Sequence, residues 1–247
     1  GAGGEWCHSL ALGSNPSCSY TILEGDGTGS KNYYSYIIDS HSFASSSNPR
    51  SGTFTIGSSA PVFEQTHFQI FQDDAGLNSA TQYAVEDANY NVNLETNFRI
   101  RFQVANTGDG AENITRRLEF KEDAGAWTQI TTNSNNVRLV DSSNFSDGSA
   151  TTAQLTATGT FTAGQGKDTG SDTSQISLAA SYYTEDEYAL KFESSADNHY
   201  YQFRITNSGI ELDTYSQMPT ITFRGAGLRI KDSSLRINNG SLRIGTK

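Results

Sequence analysis

The sequence predicts an all-β protein, an antiparallel β-sandwich of Ig-like or jelly-roll-like type, followed by a C-terminal tail of short strands. Three observations carry the prediction. Apolar and polar residues alternate with period two along much of the chain, while helical periodicity is nearly missing. Clusters of Gly, Asn, Asp and Ser punctuate the apolar runs. Aromatic residues are plentiful (12 Tyr, 13 Phe) and Pro and Met are scarce (4 and 1), a composition that suits many short strands and argues against disorder.

Taken in chain order, residues 1–62 form an N-terminal β segment. It holds Cys7 and Cys18, the turn Gly25–Gly29 (GDGTG), the aromatic strand Tyr33–Ile38 (YYSYII) and the alternating run Thr53–Ile56. A hairpin would bring the two cysteines together, so a disulfide is expected in an oxidising compartment. Residues 63–224 form the main sandwich, with room for about eight to ten strands. Phe98, Ile100, Phe102 and Val104 alternate with Arg99, Arg101 and Gln103. Tyr188, Leu190 and Phe192 alternate with Lys191 and Glu193, and Tyr201, Phe203 and Ile205 with Gln202, Arg204 and Thr206. Shorter runs occur at Phe68–Ile70, Gln154-Leu155, Phe161-Thr162, Ile176–Leu178, Ile210–Leu212 and Ile221–Phe223, and turns at Thr107–Gly110 and Asn207–Gly209. One polar face per strand implies a sheet with that face in water, so two sheets are expected to stack over the other.

Residues 225–247 are a basic tail with a repeat of period seven: Leu228-Arg229-Ile230, Leu235-Arg236-Ile237 and Leu242-Arg243-Ile244. Each triplet places Leu and Ile on one face and Arg on the other. Because seven is odd, a continuous strand would send successive triplets to opposite faces, whereas turns at Lys231–Ser234 and Asn238–Ser241 would keep the apolar pairs together. From Arg224 onward there are six basic residues and one acidic residue, so the tail is +5 and the preceding 223 residues are −15, for a total of −10. An acidic body and a basic end complement each other across copies of the chain, and the tail is expected to dock on a neighbour by strand addition.

Little in the sequence points to chemistry. His8, His41, His67 and His199 have no metal-ligand spacing, no nucleophile elbow is present, and GDGTGS lacks the Lys and the following helix of a phosphate loop. No catalytic residue is assigned. Asp73-Asp74, Glu86-Asp87 and Glu185–Glu187 are expected at strand ends or turns, where they could share a Ca²⁺, with Asp73 and Asp74 as the named candidates, or serve as a glycosidase acid/base pair, though solvated carboxylates are the rule there. No other cofactor is implied. Trp6, Trp127 and the Tyr33/Tyr34/Tyr36 cluster could face sugars, though core packing is the commoner role. Asn113, Asn144 and Asn239 lie in N-glycosylation sequons, giving candidate glycan attachment on a cell-surface glycoprotein. The acidic balance argues against a nucleic-acid partner, and no apolar run is long enough for a membrane span. The opening Gly1–Gly4, without Met or an apolar stretch, reads as a mature chain after signal removal or as a fragment boundary.

Between residues 63 and 224 a series of segments carries a resemblance. They are Thr66–Asp74 (THFQIFQDD), Glu86-Asp87, Asn97–Gly108 (NFRIRFQVANTG), Leu118–Lys121 with Trp127, Asp147-Gly148 before Ala150–Thr152, Glu185–Tyr188, Tyr201–Arg204, and Leu212–Ser216 before Pro219–Thr222. In this order they resemble a β-sandwich module of secreted surface proteins and phage-like structural proteins from environmental prokaryotes. The resemblance implies a fold and a setting but brings no catalytic residues. The expected function is that of a secreted, pilus-like structural subunit that self-associates into an extracellular filament or cell-surface assembly. The alternatives are a phage virion decoration or fibre protein and a carbohydrate-binding module.

Overall fold

The computed structural model of the chain describes residues 29–35, 50–56 and 60–223. Two compact units divide the chain, Gly1–Ser59 and Ala60–Lys247. In the first, β1 (Gly29–Ser35) and β2 (Arg50–Ile56) pair antiparallel from Gly29↔Ile56 to Ser35↔Arg50 as a two-stranded sheet. The cysteines, Trp6, Tyr36 and the Leu-Arg-Ile tail lie outside the described residues.

The second unit is all-β among its described residues, with a single 3₁₀ turn at Ser194–Ala196. Its sheets are mostly antiparallel and curl as half-barrels, the shape that strand twist and bulges impose. The strands β3 (Phe63–Gln72), β4 (Asn97–Asn106) and β11 (Tyr182–Phe192) form the centre of a six-stranded sheet. The short β14 (Thr214–Tyr215) pairs parallel to β3. The far edge of β11 is shared by β8 (Val137–Leu139), which is antiparallel, and β9 (Thr160–Lys167), which is parallel. A five-stranded sheet contains β6 (Arg116–Glu122), β7 (Thr128–Gln129), β12 (Tyr200–Asn207), β13 (Ile210–Glu211) and β15 (Thr220–Thr222). The pair β5 (Glu112–Ile114) and β10 (Ile176–Leu178) stands apart as a two-stranded sheet.

The alternating strands read from sequence fall on β3, β4, β9–β13 and β15. The Asn207–Gly209 signal becomes a tight hairpin in which Ser208 and Gly209 both have positive φ (52° and 90°), the geometry that matches strand twist. Gln154-Leu155 is not a strand. Its two backbone N–H groups donate to the Glu185 carboxylate instead of to a ladder (3.0 Å from each).

One apolar cluster joins the two large sheets. Phe98, Ile100, Phe102 and Val104 of β4 and Tyr188, Leu190 and Phe192 of β11 meet Leu118 of β6 and Tyr201, Phe203 and Ile205 of β12. Phe192 sits at the junction, stacked on Phe98 (5.3 Å between centroids) and packed edge-on against Phe203 and Phe223. Gln65 is buried within the same layer. It donates to the Gln217 carbonyl (2.6 Å) and accepts from the Ile205 N–H (2.7 Å), so a polar side chain links β3 to the second sheet with its bonds satisfied.

The strand edges of this unit are largely closed from within. Beside β3, the Tyr83 and Asp87 N–H groups donate to the Ile70 and Phe68 carbonyls, and Gln72 donates to Thr81. Along β15, the Thr220 and Thr222 N–H groups donate to the side-chain oxygens of Asn89 and Asn91 (2.8 and 3.1 Å). Closing an edge this way removes a template for unwanted pairing.

Candidate functional site

The polar face of the six-stranded sheet is not in water, contrary to the expectation for Arg99, Arg101 and Gln103. All three are buried, and so are Glu185 and Glu187, which lie mid-strand on β11 and not at a strand end or turn. The register explains the arrangement. Glu187 pairs with Arg101 and Glu185 with Gln103, so opposite charges emerge side by side on one face of adjacent strands. Arg101 donates to Glu187 (2.7 Å), Glu185 (3.0 Å) and the carbonyls of Thr152 (2.7 Å) and Leu77 (2.6 Å). Arg99 donates to the carbonyls of Gln72 (3.3 Å) and Ala75 (2.6 Å), and lies 2.9 Å from Glu187 Oε1 and 3.4 Å from Asp73. The Arg99–Glu187 approach is an ion pair without hydrogen-bond alignment. Burial pushes the Glu187 carboxyl up against the pull of Arg101 and Arg99.

The loop after β3 and the segment between β8 and β9 cover this face, which is why water does not. Gly164 on β9 is held to its identity here: a Cβ would meet the Glu185 carbonyl at 2.0 Å and an Asp186 carboxylate oxygen at 2.7 Å. On the opposite face of β11, Asp186 takes a bidentate bond from Arg116 (2.8 and 2.9 Å) and a third from the Gln165 N–H (2.8 Å). Tyr188 lies beside that pair. Burial raises its hydroxyl well above the usual phenol range, so it stays neutral.

Two half-buried corners repeat one design. His67 Nδ1 bonds Asp87 Oδ2 (2.6 Å), while Asp87 Oδ1 accepts the next residue's N–H, Phe68 (3.0 Å). His199 Nδ1 bonds Asp123 Oδ2 (2.7 Å), and Asp123 Oδ1 accepts the N–H of Tyr200 (3.0 Å). Both Asp residues are left-handed (φ 61° and 48°), and a Glu precedes each, Glu86 and Glu122, at 2.9 and 3.2 Å from the ring nitrogen. In each corner the three ligand atoms lie within 4.8 Å of one another, close enough to hold a metal. The short His–Asp bond already occupies Nδ1, so each corner is complete as a clasp between a strand and a turn. The bond to Asp123 raises the His199 pKa, and the bond from His199 lowers that of Asp123.

The outward face of the five-stranded sheet is covered over Glu119, Arg204 and Thr206, which are buried, and half-exposed at Arg117, Lys121 and Gln202. Arg204 bonds Glu119 through Nε and Nη2 (3.1 and 2.9 Å) and lies over Trp127 (4.3 Å) and Tyr215 (5.9 Å). Trp127 also receives Lys121 (5.0 Å), so it clamps cations here and is not part of the core cluster. A shallow hollow lined by Phe120, Glu122, Thr128 and Asn133–Asn136 opens beside this sheet.

Among the other residues singled out by sequence, Asp73 Oδ1 accepts from Ser142 Oγ (2.7 Å) and Asn144 Nδ2 (3.1 Å), and Asp74 accepts the Thr81 N–H (2.9 Å). The Asn144 amide nitrogen is thus committed to Asp73, whereas Asn113 is exposed on β5. Asn239, Cys7, Cys18 and the residues Leu228, Arg229, Ile230, Leu235, Arg236, Ile237, Leu242, Arg243 and Ile244 fall outside the described residues. No described helix is long and apolar enough to cross a membrane. Comparison with family models, curated proteins and solved structures gave no match.

Proposed function

We propose that the chain is a structural subunit of an extracellular filament or surface assembly, with an antiparallel β-sandwich as its body and a terminal segment that adds strands to a neighbouring copy. The observation that carries the reading is the separation of charge. Between residues 60 and 223 there are nine Lys or Arg against 22 Asp or Glu, a net of −13. Eight of those nine cations, Arg99, Arg101, Arg116, Arg117, Arg138, Lys167, Lys191 and Arg204, are paired with carboxylates of the same unit. The body therefore has an excess of carboxylates and almost no uncommitted cation, while the last 24 residues carry +5 on a repeated Leu-Arg-Ile pattern. Such fields attract across copies and fix their orientation.

The acceptor for an added strand is best placed on the first unit. The body's edges at β3 and β15 are closed by its own groups. By contrast, among the described residues β1 and β2 pair only with each other, and a two-stranded sheet gains stability from a third strand.

Deleting residues 225–247 tests the reading. The full chain should sediment as polymers and show filaments or arrays by negative-stain microscopy. The truncated chain should remain monomeric with an unchanged thermal midpoint, and assembly of the full chain should weaken with salt. Polymerisation of the truncated chain to the same extent would refute strand donation by the tail.

A further inference from the structure

We propose that Asp147 and Asp168 form a binding site for a hard divalent cation of the Ca²⁺ class, beside the end of β9. This site is independent of the assembly reading and uses neither terminal segment. Asp168 is only 1% exposed. Its Oδ2 accepts the Ser142 N–H (3.2 Å), but its buried Oδ1 has no hydrogen-bond partner among the described residues. Asp147, whose Oδ1 accepts the Asp168 N–H, and Asp141 both add negative charge at this corner.

Asp147 is firmly held. Its Oδ1 accepts the N–H groups of Asp168 (3.1 Å) and Thr169 (3.4 Å), and its Oδ2 receives Lys167 Nζ (2.6 Å). Asp147 and Asp168 thus carry two negative charges against the one ammonium of Lys167, and Asp141 adds to them from further off. A buried carboxylate oxygen with a second carboxylate as neighbour and no donor is costly unless a positive charge completes it. Lys167 is already committed to Asp147, and no other cation among the described residues pairs with Asp168, so a bound cation can supply the balancing charge. The available donors are all oxygens, the preference of Ca²⁺ and not of Zn²⁺.

The site also touches the interior. Ser142, whose N–H holds Asp168, donates its hydroxyl to Asp73, and Asp73 lies beside Arg99. Cation binding is therefore expected to raise the stability of the whole body through mass action on the folded state.

The test is calorimetric titration of chelator-treated full chain with CaCl₂, alongside thermal melts with and without Ca²⁺. Wild type should bind about one equivalent with an affinity typical of extracellular Ca²⁺ modules, on the order of 0.1–1 mM, and melt higher with Ca²⁺ present. Asp168→Asn should lose roughly tenfold or more in affinity by removing a liganding charge. Asp172→Asn, a change at the exposed Arg117 pair, should bind as wild type does. Should Asp168→Asn fail to fold, Asp141→Asn at an exposed position must weaken binding instead. Two results would overturn the assignment: no heat of binding and no melting shift up to about 10 mM Ca²⁺, or Ca²⁺ affinity in Asp168→Asn and Asp141→Asn equal to that of wild type. A Ca²⁺-insensitive wild type that is stabilised by Asp168→Asn would identify a proton-sharing carboxyl pair in place of the cation.

Discussion

The two large sheets have similar alternation on their outward faces, yet those faces end in different surroundings. On the six-stranded sheet Arg99, Arg101, Glu185 and Glu187 are shut away from water under the loop after β3 and the segment between β8 and β9. On the five-stranded sheet Arg204 and Glu119 are also buried, beneath Trp127 and Tyr215, but Arg117 keeps a quarter of its side chain exposed. The lesson concerns what alternation means. It shows which residues share a face but not what lies over that face. A charged row becomes interior when the adjacent strand offers the opposite charge at the same height and a loop supplies carbonyls for the remaining donors. Arg101 meets both conditions; Arg117 bonds Asp172 at the surface.

The largest effect should come from breaking the dry face. Arg101→Ala leaves Glu185 and Glu187 buried with a guanidinium missing between them, and should cost about 3–5 kcal/mol in denaturant unfolding. A loss under about 1 kcal/mol would mean that water reaches that face, erasing the contrast with the other sheet. Gly164→Ala probes the same region without touching charge. Its Cβ would collide with the Glu185 carbonyl and should cost about 1–3 kcal/mol or more through forced backbone shifts. On the five-stranded sheet, Arg204→Ala should cost about 1–3 kcal/mol, from the Glu119 carboxylate left buried without its partner and from lost stacking on Trp127 and Tyr215, and Arg117→Ala less than about 1 kcal/mol. Equal losses for Arg101 and Arg117 would break the comparison.

The smallest effect is expected at the His199 corner, and its sign follows from the pKa directions. The bond to Asp123 raises His199, so its contribution is complete below the ordinary histidine value and fades as pH rises through the higher folded value. Asp123 is lowered by the bond from His199, so its contribution is present above the ordinary aspartate value and fades as pH falls through the lower folded value. The clasp is therefore strongest in mildly acidic solution. His199→Asn keeps a donor near the Nδ1 position but cannot titrate. Wild-type stability should decline relative to the variant as pH rises from about 6 to about 8, read from denaturation midpoints across that range. Parallel curves would assign the His199 bond no linkage.

The longest alternating strands were legible in the sequence because a pleated strand with one apolar face must alternate, as β4 does from Phe98 to Val104, β11 from Tyr188 to Phe192 and β12 from Tyr201 to Thr206. The buried network left a trace as well: an Arg-x-Arg run in one strong strand and a Glu-Asp-Glu run in another are opposite charges waiting for a register. Reading it required knowing that β4 and β11 are neighbours, and nothing local states that pairing. Gln154-Leu155 shows the converse failure, since its apolar residue suggested a strand while its N–H groups serve the Glu185 carboxylate. The clasps at His67 and His199 were invisible for the same reason. Each joins residues 20 or 76 positions apart. Asp168 carries no sequence signal, because only burial makes its unpartnered oxygen unusual.

By itself, then, the sequence determined the class of structure, the places where the alternating strands run, and the acidic body set against a basic tail, all properties of local pattern and composition. The tertiary structure alone decided which polar face is dry, which carboxylates meet arginines and which stand beside one another. Those outcomes depend on strand order and on loops returning across a sheet, and the energy of a charge depends on what surrounds it far more than on which residues precede it.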